Sequence, residues 1–335
     1  MRDPGVGGGR RHGIVVALST DLPAGRAEVY VLRALGLGDL LTGVPALRGL
    51  RRHLPQARIV LATPAPLRDL ALLTGAVDAV APAAGLGDLD HRPHRSPDVA
   101  VNLHGRGPQS LDHLCAVTPG RVLSHRHPAH PEVDGPDWDA DVHEVDRWCR
   151  LLGWYGIGCD ADDLLLARPE GGPDGRGLVV VHPGAAAGSR RWPVERFAAV
   201  AAALHADGHD VVLTGNRAEA DLTHEVARRA GLPAAAVLAG TLDVLGLVAL
   251  IHDCRLVVCG DTGVGHVATA TGTPSVLLFG PTSPAHWGPR RPGRHVALWA
   301  GRTGDPHAGD PDPGLLALST TTVLDAVDET LRECS

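Results

Sequence analysis

Short apolar runs that do not alternate with polar residues recur along this chain, and most are followed by a helical pattern. A strand with one face in water alternates apolar and polar residues, whereas a parallel strand covered by helices on both faces does not. The repeated change from such a strand to a helix predicts an α/β fold. The runs in the second half that carry this prediction are 178–181, 210–213, 237–239, 256–259 and 275–279.

The first half repeats the alternation less regularly. Strands are predicted at 28–33, 58–62, 77–81 and 97–103, and helices of the whole chain at 67–73, 141–152, 194–204 and 322–331. Pro45 is tolerated only in the first turn of a helix, so the helix around it is expected to start near Leu41 or Thr42. Residues 85–97 and 124–137 are rich in Pro, His and Asp, which predicts loops.

A cluster of breaker residues at 168–177 separates the two halves and is the predicted linker. The 335 residues suit two domains of about 150 residues each. We therefore predict two Rossmann-like, doubly wound domains that face a central cleft, where the carboxyl ends of the strands would hold a ligand. The predicted bounds are a tail with a possible extra strand at 1–27, domains at 28–167 and 178–318, and a final helical segment at 319–335.

Composition excludes several kinds of protein. All 31 basic residues are arginine, which excludes a Schiff-base lysine, a P-loop lysine and a lysine general base. The net charge is -7 without a basic stripe, so a nucleic-acid partner is not expected. The apolar run 14–18 is too short for a signal peptide or a membrane span, and we expect a cytoplasmic protein. Arginine-only usage with 42 glycines and 27 prolines is typical of a GC-rich bacterial source.

The cysteines and histidines give no metal-ligand spacing. Six cysteines occur without a C-x-x-C pair, and Cys254 and Cys259 flank an apolar strand. A role as small, buried hydrophobic side chains fits these cysteines better than disulfide bonds or structural zinc sites do. His125, His127 and His130 lie in a Pro-rich loop, and we expect no metal site there.

The strongest motif is Cys-Gly-Asp-Thr-Gly-Val-Gly-His at 259–266, between a predicted strand and a predicted helix. Its glycines let backbone N–H groups approach an anion, and the helix N-terminus adds partial positive charge. Asp261 and Thr262 would equally serve as helix N-caps without a ligand. A dinucleotide fingerprint is disfavoured because no acidic residue that could hold a ribose occurs between Asp261 and Asp305.

Three further motifs follow predicted strands. Residues 182–193 form a small-residue loop with two arginines, whose guanidinium groups suit phosphate oxygens, although a solvated loop explains it equally well. Glu219 follows the strand 210–213 and would bind ribose hydroxyls or stabilise the first turn of a helix. Asp39 follows two glycines at the mouth of the first domain, and without a ligand it would simply cap the next helix.

These four motifs together resemble glycosyltransferase family 9, the heptosyltransferases, which have the GT-B fold. The resemblance covers most of 28–331 and is most specific over 257–289. It implies an acceptor-binding N-terminal domain, a donor-binding C-terminal domain, and Asp39 as the catalytic base. It also implies roles for Arg190, Thr262, Gly263, Val264 and Gly265 at the donor diphosphate, Glu219 and Gly215 at the ribose, Asp261 and His266 at the donor sugar, and Gly38, His182 and Gly184 in supporting loops.

The resemblance implies inverting transfer of a heptose-like sugar from a nucleotide diphosphate, ADP-heptose foremost, to a glycan or lipid-linked hydroxyl in cell-envelope biosynthesis. No cofactor or metal is expected, since the D-x-D patterns at 88–90 and 310–312 fall in loops away from the strand ends. Arg190 stands where the family has lysine, and because arginine does not deprotonate, only an electrostatic role is compatible with it.

A lipid-linked acceptor would bring the protein to the inner face of the membrane, and the sequence predicts no oligomeric state. Two alternatives stay open. A nucleotide-sugar 2-epimerase would act on the donor alone, and a non-catalytic protein would only bind the nucleotide sugar.

Overall fold

The computed structural model describes residues 27–86, 95–290 and 294–333. The predicted tail and its extra strand fall in 1–26, and Asp88, Asp90 and Cys334 also lie outside the described residues. Among the described residues, no helix combines the length and the apolar character of a membrane span.

The first half forms a parallel five-stranded sheet covered by helices. Its elements are β1 (Glu28–Leu32), α1 (Leu37–Thr42), α2 (Val44–His53), β2 (Arg58–Thr63), α3 (Arg68–Leu73), β3 (Ala79–Pro82), β4 (Val99–Asn102), α4 (Gln109–Ala116), β5 (Arg121–Leu123) and α5 (Glu144–Trp154). The strand order is β3-β2-β1-β4-β5, and every neighbouring pair is parallel. All residues of β1 are buried, as expected for a central strand covered on both faces.

The second half forms another parallel five-stranded sheet. Its elements are β6 (Leu178–His182), α6 (Val194–Ala206), β7 (Asp210–Leu213), α7 (Ala220–Ala230), α8 (Val244–Asp253), β8 (Leu256–Gly260), α9 (Gly263–Thr271), β9 (Ser275–Phe279), α10 (Pro284–Trp287), β10 (His295–Trp299), α11 (Pro313–Leu316) and α12 (Thr320–Glu333). The order is β10-β9-β8-β6-β7, with all pairs parallel. The predicted α/β fold with two doubly wound sheets is therefore confirmed.

The structure corrects two predicted elements. The helix expected to start near Leu41 or Thr42 is two helices, because α1 ends at Thr42, Gly43 caps it, and α2 begins at Val44 with Pro45 in its first turn. The rule on proline was right, but the start was wrong. The strand expected at 237–239 is absent, since only Val237 bridges to β7.

That segment has a physical reason not to form a strand. A 3₁₀ turn at Ala234–Ala236 precedes it, and Gly240 follows with a φ of 70°, a value that favours glycine and ends extended backbone. The elements α4, β5, α10, β10 and α11 were not predicted, and α3, α5, α6 and α12 differ from the predicted bounds by one to three residues at an end.

The two sheets are joined through a shared apolar interior. Residues 168–177, where the linker was predicted, contain neither helix nor strand. Leu40 and Leu41 of α1 belong to the same buried cluster as Val264 and Val267 of α9. The first helix of one half thus packs against the helix after β8 in the other half.

Candidate functional site

Both sheets have a point where the strand order changes direction, and these points define the site. In the first sheet β1 continues to β2 on one side and to β4 on the other, and in the second sheet β6 lies between β7 and β8. Ligands of doubly wound folds bind beyond the carboxyl ends of the strands at such points. The segments that follow β1, β6 and β8 are 33–39, 183–190 and 261–262, and they contain Asp39, Arg190 and Asp261.

These strand ends border one cleft of about 970 Å³. Most of the residues predicted from the sequence line it: Gly38, Asp39, His182, Arg190, Gly215, Glu219, Asp261, Thr262, Gly263, Val264 and His266. Gly184 and Gly265 do not appear in this lining. Gly184 packs against the Glu219 carboxylate, and Gly265 packs behind the turn against Leu277.

Asp39 offers a partly exposed carboxylate to the cleft, with 28% of its side chain accessible. Its Oδ2 accepts a hydrogen bond from the Gly36 N–H at 3.2 Å, so the capping role considered for it is real. Its Oδ1 lies 3.8 Å from Arg33 Nη2. Burial raises the pKa of Asp39 above its ordinary value, although Arg33 opposes this. A raised pKa makes the carboxylate a stronger base.

Arg33 is fully buried and fixes the segment that carries Asp39. Its guanidinium donates to the Asp39 backbone carbonyl and to the Leu103 carbonyl after β4. It also donates to Thr42 Oγ1 at 2.9 Å and to Glu144 Oε1 at 3.2 Å. One arginine therefore links the ends of β1 and β4 to the start of α5, and it neutralises a buried carboxylate.

The two halves meet at glycines. A Cβ placed on Gly38 would lie 2.6 Å from His266 Cδ2 and 3.4 Å from the Gly263 Cα. A Cβ on Gly263 would lie 2.9 Å from the Leu37 Cβ. The N-termini of α1 and α9 thus approach backbone to backbone, which only glycine allows at these two positions.

Arg190 lies beside the turn after β8. Its Nη1 donates to the Asp261 backbone carbonyl at 3.4 Å, and among the described residues its Nε has no hydrogen-bond partner and its guanidinium no carboxylate within salt-bridge distance. Burial raises the pKa of the Asp261 carboxyl, opposed by Arg190. The guanidinium thus interacts with the Asp261 carboxyl electrostatically without forming a close ion pair, and it is placed to bind an anion in the cleft.

The first turn of α9 borders the cleft through Thr262, Gly263 and Val264, and the helix N-terminus places partial positive charge there. Thr262 is the N-cap, and its hydroxyl accepts from the Val264 N–H at 3.3 Å, so this predicted binding residue is also a cap. His266 stacks edge-on against Trp287 with ring centroids 6.0 Å apart. Burial lowers the pKa of His266 to about 4, so the ring is neutral at pH 7 and can hydrogen-bond to a ligand without adding charge.

Glu219 and His182 form the far end of the cleft. Glu219 Oε2 accepts from the Asn216 N–H at 2.8 Å, which stabilises the 3₁₀ turn Arg217–Glu219 that precedes α7. His182 Nδ1 lies 3.1 Å from Thr214 Oγ1. Burial lowers the pKa of His182, although Glu219 opposes this. The pair offers a carboxylate and a neutral imidazole, a set suited to hydroxyl groups.

Three polar contacts across the halves hold the segment 280–290 against α5. His143 caps α5 through Nδ1, which accepts from the Val145 N–H, and its Nε2–H donates to the Gly288 carbonyl at 2.9 Å. His286 and Arg290 contact Asp141 and Asp146 at 2.9 and 2.6 Å. The stretch that carried the most specific sequence resemblance therefore lies at the junction of the two halves.

The metal patterns considered from the sequence are placed elsewhere. Asp312 caps α11 through the Gly314 N–H, and Asp88 and Asp90 lie outside the described residues. His125 is buried against Trp138 and Trp148, whereas His127 Nδ1 accepts from the Ala129 N–H. The imidazole rings of His125 and His127 thus have separate surroundings, although the backbones of His127 and His130 are hydrogen-bonded.

Sequence reasoning missed several residues of the site. Arg33 and Glu144 carry the support of Asp39, and Leu35, Leu242 and Leu247 supply apolar lining to the cleft. An arginine at the end of an apolar strand was a signal for a buried ion pair, because a buried charge is usually paired. Its partner lies 111 residues away, and no local pattern identifies it.

Comparison with known proteins agrees with this architecture. Residues 157–308 match Glycosyltransferase family 9 (heptosyltransferase). Lipopolysaccharide heptosyltransferase 3 of Escherichia coli is 36% identical over 129 residues, which are 38% of this chain and 38% of that protein. Lipooligosaccharide heptosyltransferase 2 of Haemophilus ducreyi is 35% identical over 124 residues, 35% of each protein. The matched stretches thus span little more than a third of these relatives.

Solved structures extend the likeness in fold to nearly the whole chain. A family 9 glycosyl transferase from Veillonella parvula superposes with a TM-score of 0.77 at 22% identity, covering 92% of this chain and 98% of that one. E. coli ADP-heptose lps heptosyltransferase II superposes with a TM-score of 0.73 at 22% identity, covering 91% and 99%. The predicted GT-B arrangement is therefore confirmed, and so is the predicted family resemblance over 157–308.

Proposed function

We propose that this protein transfers a heptose-like sugar from ADP-heptose to a hydroxyl of a lipopolysaccharide-type glycan, since residues 157–308 match Glycosyltransferase family 9 (heptosyltransferase). The observation that supports this best is that Asp39, Arg190 and the first turn of α9 line the same cleft. The names of similar proteins supply the sugar and the acceptor class. A lipid-linked acceptor would place the reaction at the cytoplasmic face of a membrane.

In the proposed reaction Asp39 is the general base. The acceptor hydroxyl attacks the anomeric carbon, its proton passes to the Asp39 carboxylate, and the bond from that carbon to the diphosphate oxygen breaks with its electron pair. Attack from the side opposite the leaving group inverts the anomeric configuration. The raised pKa of Asp39 and its 28% exposure support this role, because a base needs both affinity for a proton and access to it.

The leaving diphosphate needs charge stabilisation rather than a proton. Arg190, which has no carboxylate within salt-bridge distance among the described residues, and the N-terminus of α9 would supply it. Asp261 and the neutral His266 would bind hydroxyls of the donor sugar. Glu219, in the carboxylate–imidazole end of the cleft, would bind the ribose. These groups are sufficient for the reaction, so we propose that neither a metal ion nor a cofactor takes part in it.

Asp39→Asn tests the proposal. Asparagine keeps the side-chain shape and its oxygen can still accept from the Gly36 N–H, so the cap of α1 survives. Loss of a general base should lower kcat by about 10²- to 10⁴-fold. The affinity for ADP, measured from the ligand-induced rise in melting temperature, should stay within about threefold.

The matched control is Asp69→Asn, an exposed aspartate in the first turn of α3, which should leave kcat unchanged. Turnover of Asp39→Asn within threefold of the unmodified protein would exclude Asp39 as the base. Incubation with ADP-heptose alone distinguishes the alternatives, since an isomerised sugar would indicate an epimerase. ADP binding without any turnover in the unmodified protein would indicate a non-catalytic binding protein.

A further inference from the structure

A cysteine, a histidine and a glutamate converge on the outer side of the first sheet, away from the donor cleft. Cys115 lies in the last turn of α4, and His130 and Glu132 belong to the loop that follows β5. Cys115 Sγ lies 3.9 Å from His130 Nδ1, and His130 Nδ1 lies 2.9 Å from Glu132 Oε1. All three ligand atoms are within 4.8 Å of one another.

These separations fit a tetrahedral zinc ion. With zinc–sulfur, zinc–nitrogen and zinc–oxygen bonds of roughly 2.3, 2.0 and 2.0 Å, a tetrahedral site places sulfur and nitrogen about 3.5 Å apart and nitrogen and oxygen about 3.3 Å apart. The corresponding distances are 3.9 and 2.9 Å. These two pairs differ from the tetrahedral values by about 0.4 Å, and the third pair, Cys115 Sγ and Glu132 Oε1, lies within 4.8 Å, so rotation of the exposed Glu132 side chain would have to close the remaining gap.

Asp112 orients the histidine for this role. Its Oδ1 lies 2.8 Å from His130 Nε2, so it can accept the Nε2–H and leave the Nδ1 lone pair directed at Cys115 and Glu132. A carboxylate that fixes the tautomer of a metal-binding histidine is a regular outer-shell feature of zinc sites. Asp112 lies one helical turn before Cys115, so α4 supplies both the ligand and the orienting group.

The cluster also borders a cavity. Cys115 and Glu132 line a pocket of about 590 Å³, and none of the four residues lines the cleft that contains Asp39. Three protein ligands beside a cavity leave a fourth coordination position for water or an exogenous ligand, as in zinc sites that are not purely structural.

From this geometry we propose that Cys115, His130 and Glu132 bind a divalent cation of the zinc class, with Asp112 as the positioning residue and the fourth position open to the cavity. The ion would connect α4 to the loop 124–137. The simplest rival is a protonated His130 held between Glu132 and Asp112 without any metal, and a direct binding experiment separates the two.

The experiment is a titration of the chelator-stripped, full-length protein with Co²⁺, followed by competition with Zn²⁺. We expect one equivalent to bind with a thiolate-to-cobalt charge-transfer band. Cys115→Ser should abolish the band, and Glu132→Gln should weaken binding at least tenfold. Asp112→Asn should weaken binding by about 10- to 100-fold while keeping the band, because the three ligands remain.

Cys149→Ser is the matched control, since Cys149 is another half-buried cysteine in a helix and contacts Cys159. It should keep both the stoichiometry and the band. The proposal is overturned if the unmodified protein binds no Co²⁺, if Cys115→Ser keeps the band, or if Cys149→Ser loses it. Glu132 is exposed, so the Glu132→Gln variant should fold and allows the test even if Cys115→Ser does not.

Discussion

Gly38→Ala should lower the catalytic rate far more than the stability, because Gly38 lies where the two halves touch. Gly38 lies in α1, so alanine suits the backbone there and should favour the helix by about 0.5–1 kcal/mol. The added Cβ would however lie 2.6 Å from His266 Cδ2, whereas ordinary contact begins at 3.4 Å. Either α1 must move away from α9 by about 0.8 Å, or His266 must leave its position against Trp287.

Both responses disturb the proposed chemistry. Moving α1 carries Asp39 away from the donor, and a misplacement of about 1 Å can cost about 10²-fold in rate. We therefore expect kcat to fall by about 10²-fold, measured as ADP release from ADP-heptose with a lipopolysaccharide-type acceptor. The free energy of unfolding should fall by no more than about 2 kcal/mol, since overpacking costs about 1–3 kcal/mol and the helical gain offsets part of it.

The control for the substitution itself is Gly153→Ala in α5, where an added Cβ meets nothing within 4 Å. This variant should keep full activity. If folded Gly38→Ala protein turns over within threefold of the unmodified protein, the contact between α1 and α9 does not set the position of Asp39, and the reasoning is refuted.

Three further outcomes are expected. Replacing Arg190 with lysine should keep the affinity for ADP within about tenfold, whereas alanine should weaken it by about 10- to 100-fold, or roughly 1.5–3 kcal/mol, in a calorimetric titration. Burial raises the pKa of Glu144, but Arg33 and Arg147 outweigh it and hold the pKa below the ordinary value of 4.5. The stabilisation that the ionised Glu144 gives the folded protein is therefore present above pH 4.5 and is lost as the pH falls through the folded-state pKa. Glu144→Gln should lower the free energy of unfolding by about 3–5 kcal/mol in urea at pH 7, because it leaves buried arginines uncompensated. Burial lowers the pKa of His125 from 6.5 to about 4, so only the unfolded chain gains this proton as the pH falls from 7 to 5. The free energy of unfolding should drop by about 2 kcal/mol over this range because of this group. His125→Phe should remove this contribution to the pH dependence of stability.

The fold could be predicted from the sequence where local pattern and final structure agree. The segments Leu256–Gly260 and Ser275–Phe279 are unbroken apolar runs, and both are central strands. The run 237–239 has the same composition, and only the neighbouring 3₁₀ turn and Gly240 prevent a strand. His295–Trp299 was missed because it is half-buried at the edge of its sheet and carries a weaker apolar signal.

The site was predictable to the extent that its chemistry is local. Asp39, Arg190 and Asp261 each follow a strand within a recognisable motif, and parallel strands bring such ends to one edge. Contacts between distant segments gave no such signal. Arg33 meets Glu144 across 111 residues, and the His130 ring contacts Asp112 and Cys115 of α4.

The division of the proposed site between two sheets has a consequence for how catalysis is controlled. Asp39 follows a strand of the first sheet, whereas Arg190 and the α9 turn follow strands of the second, so neither half alone holds a complete reaction centre. A carboxylate close to a bound diphosphate would be repelled by it, so the direction in which α1 presents Asp39, and not only its sheet of origin, decides whether the base serves the acceptor. The distance between the walls of the cleft is then fixed by the glycine contact of α1 with α9 and by the hydrogen bonds of segment 280–290 to α5. We infer that substitutions on the α1 and α5 sides of this junction should change kcat more than ADP affinity, because they alter the alignment of acceptor and donor while leaving the groups proposed to bind the nucleotide in place.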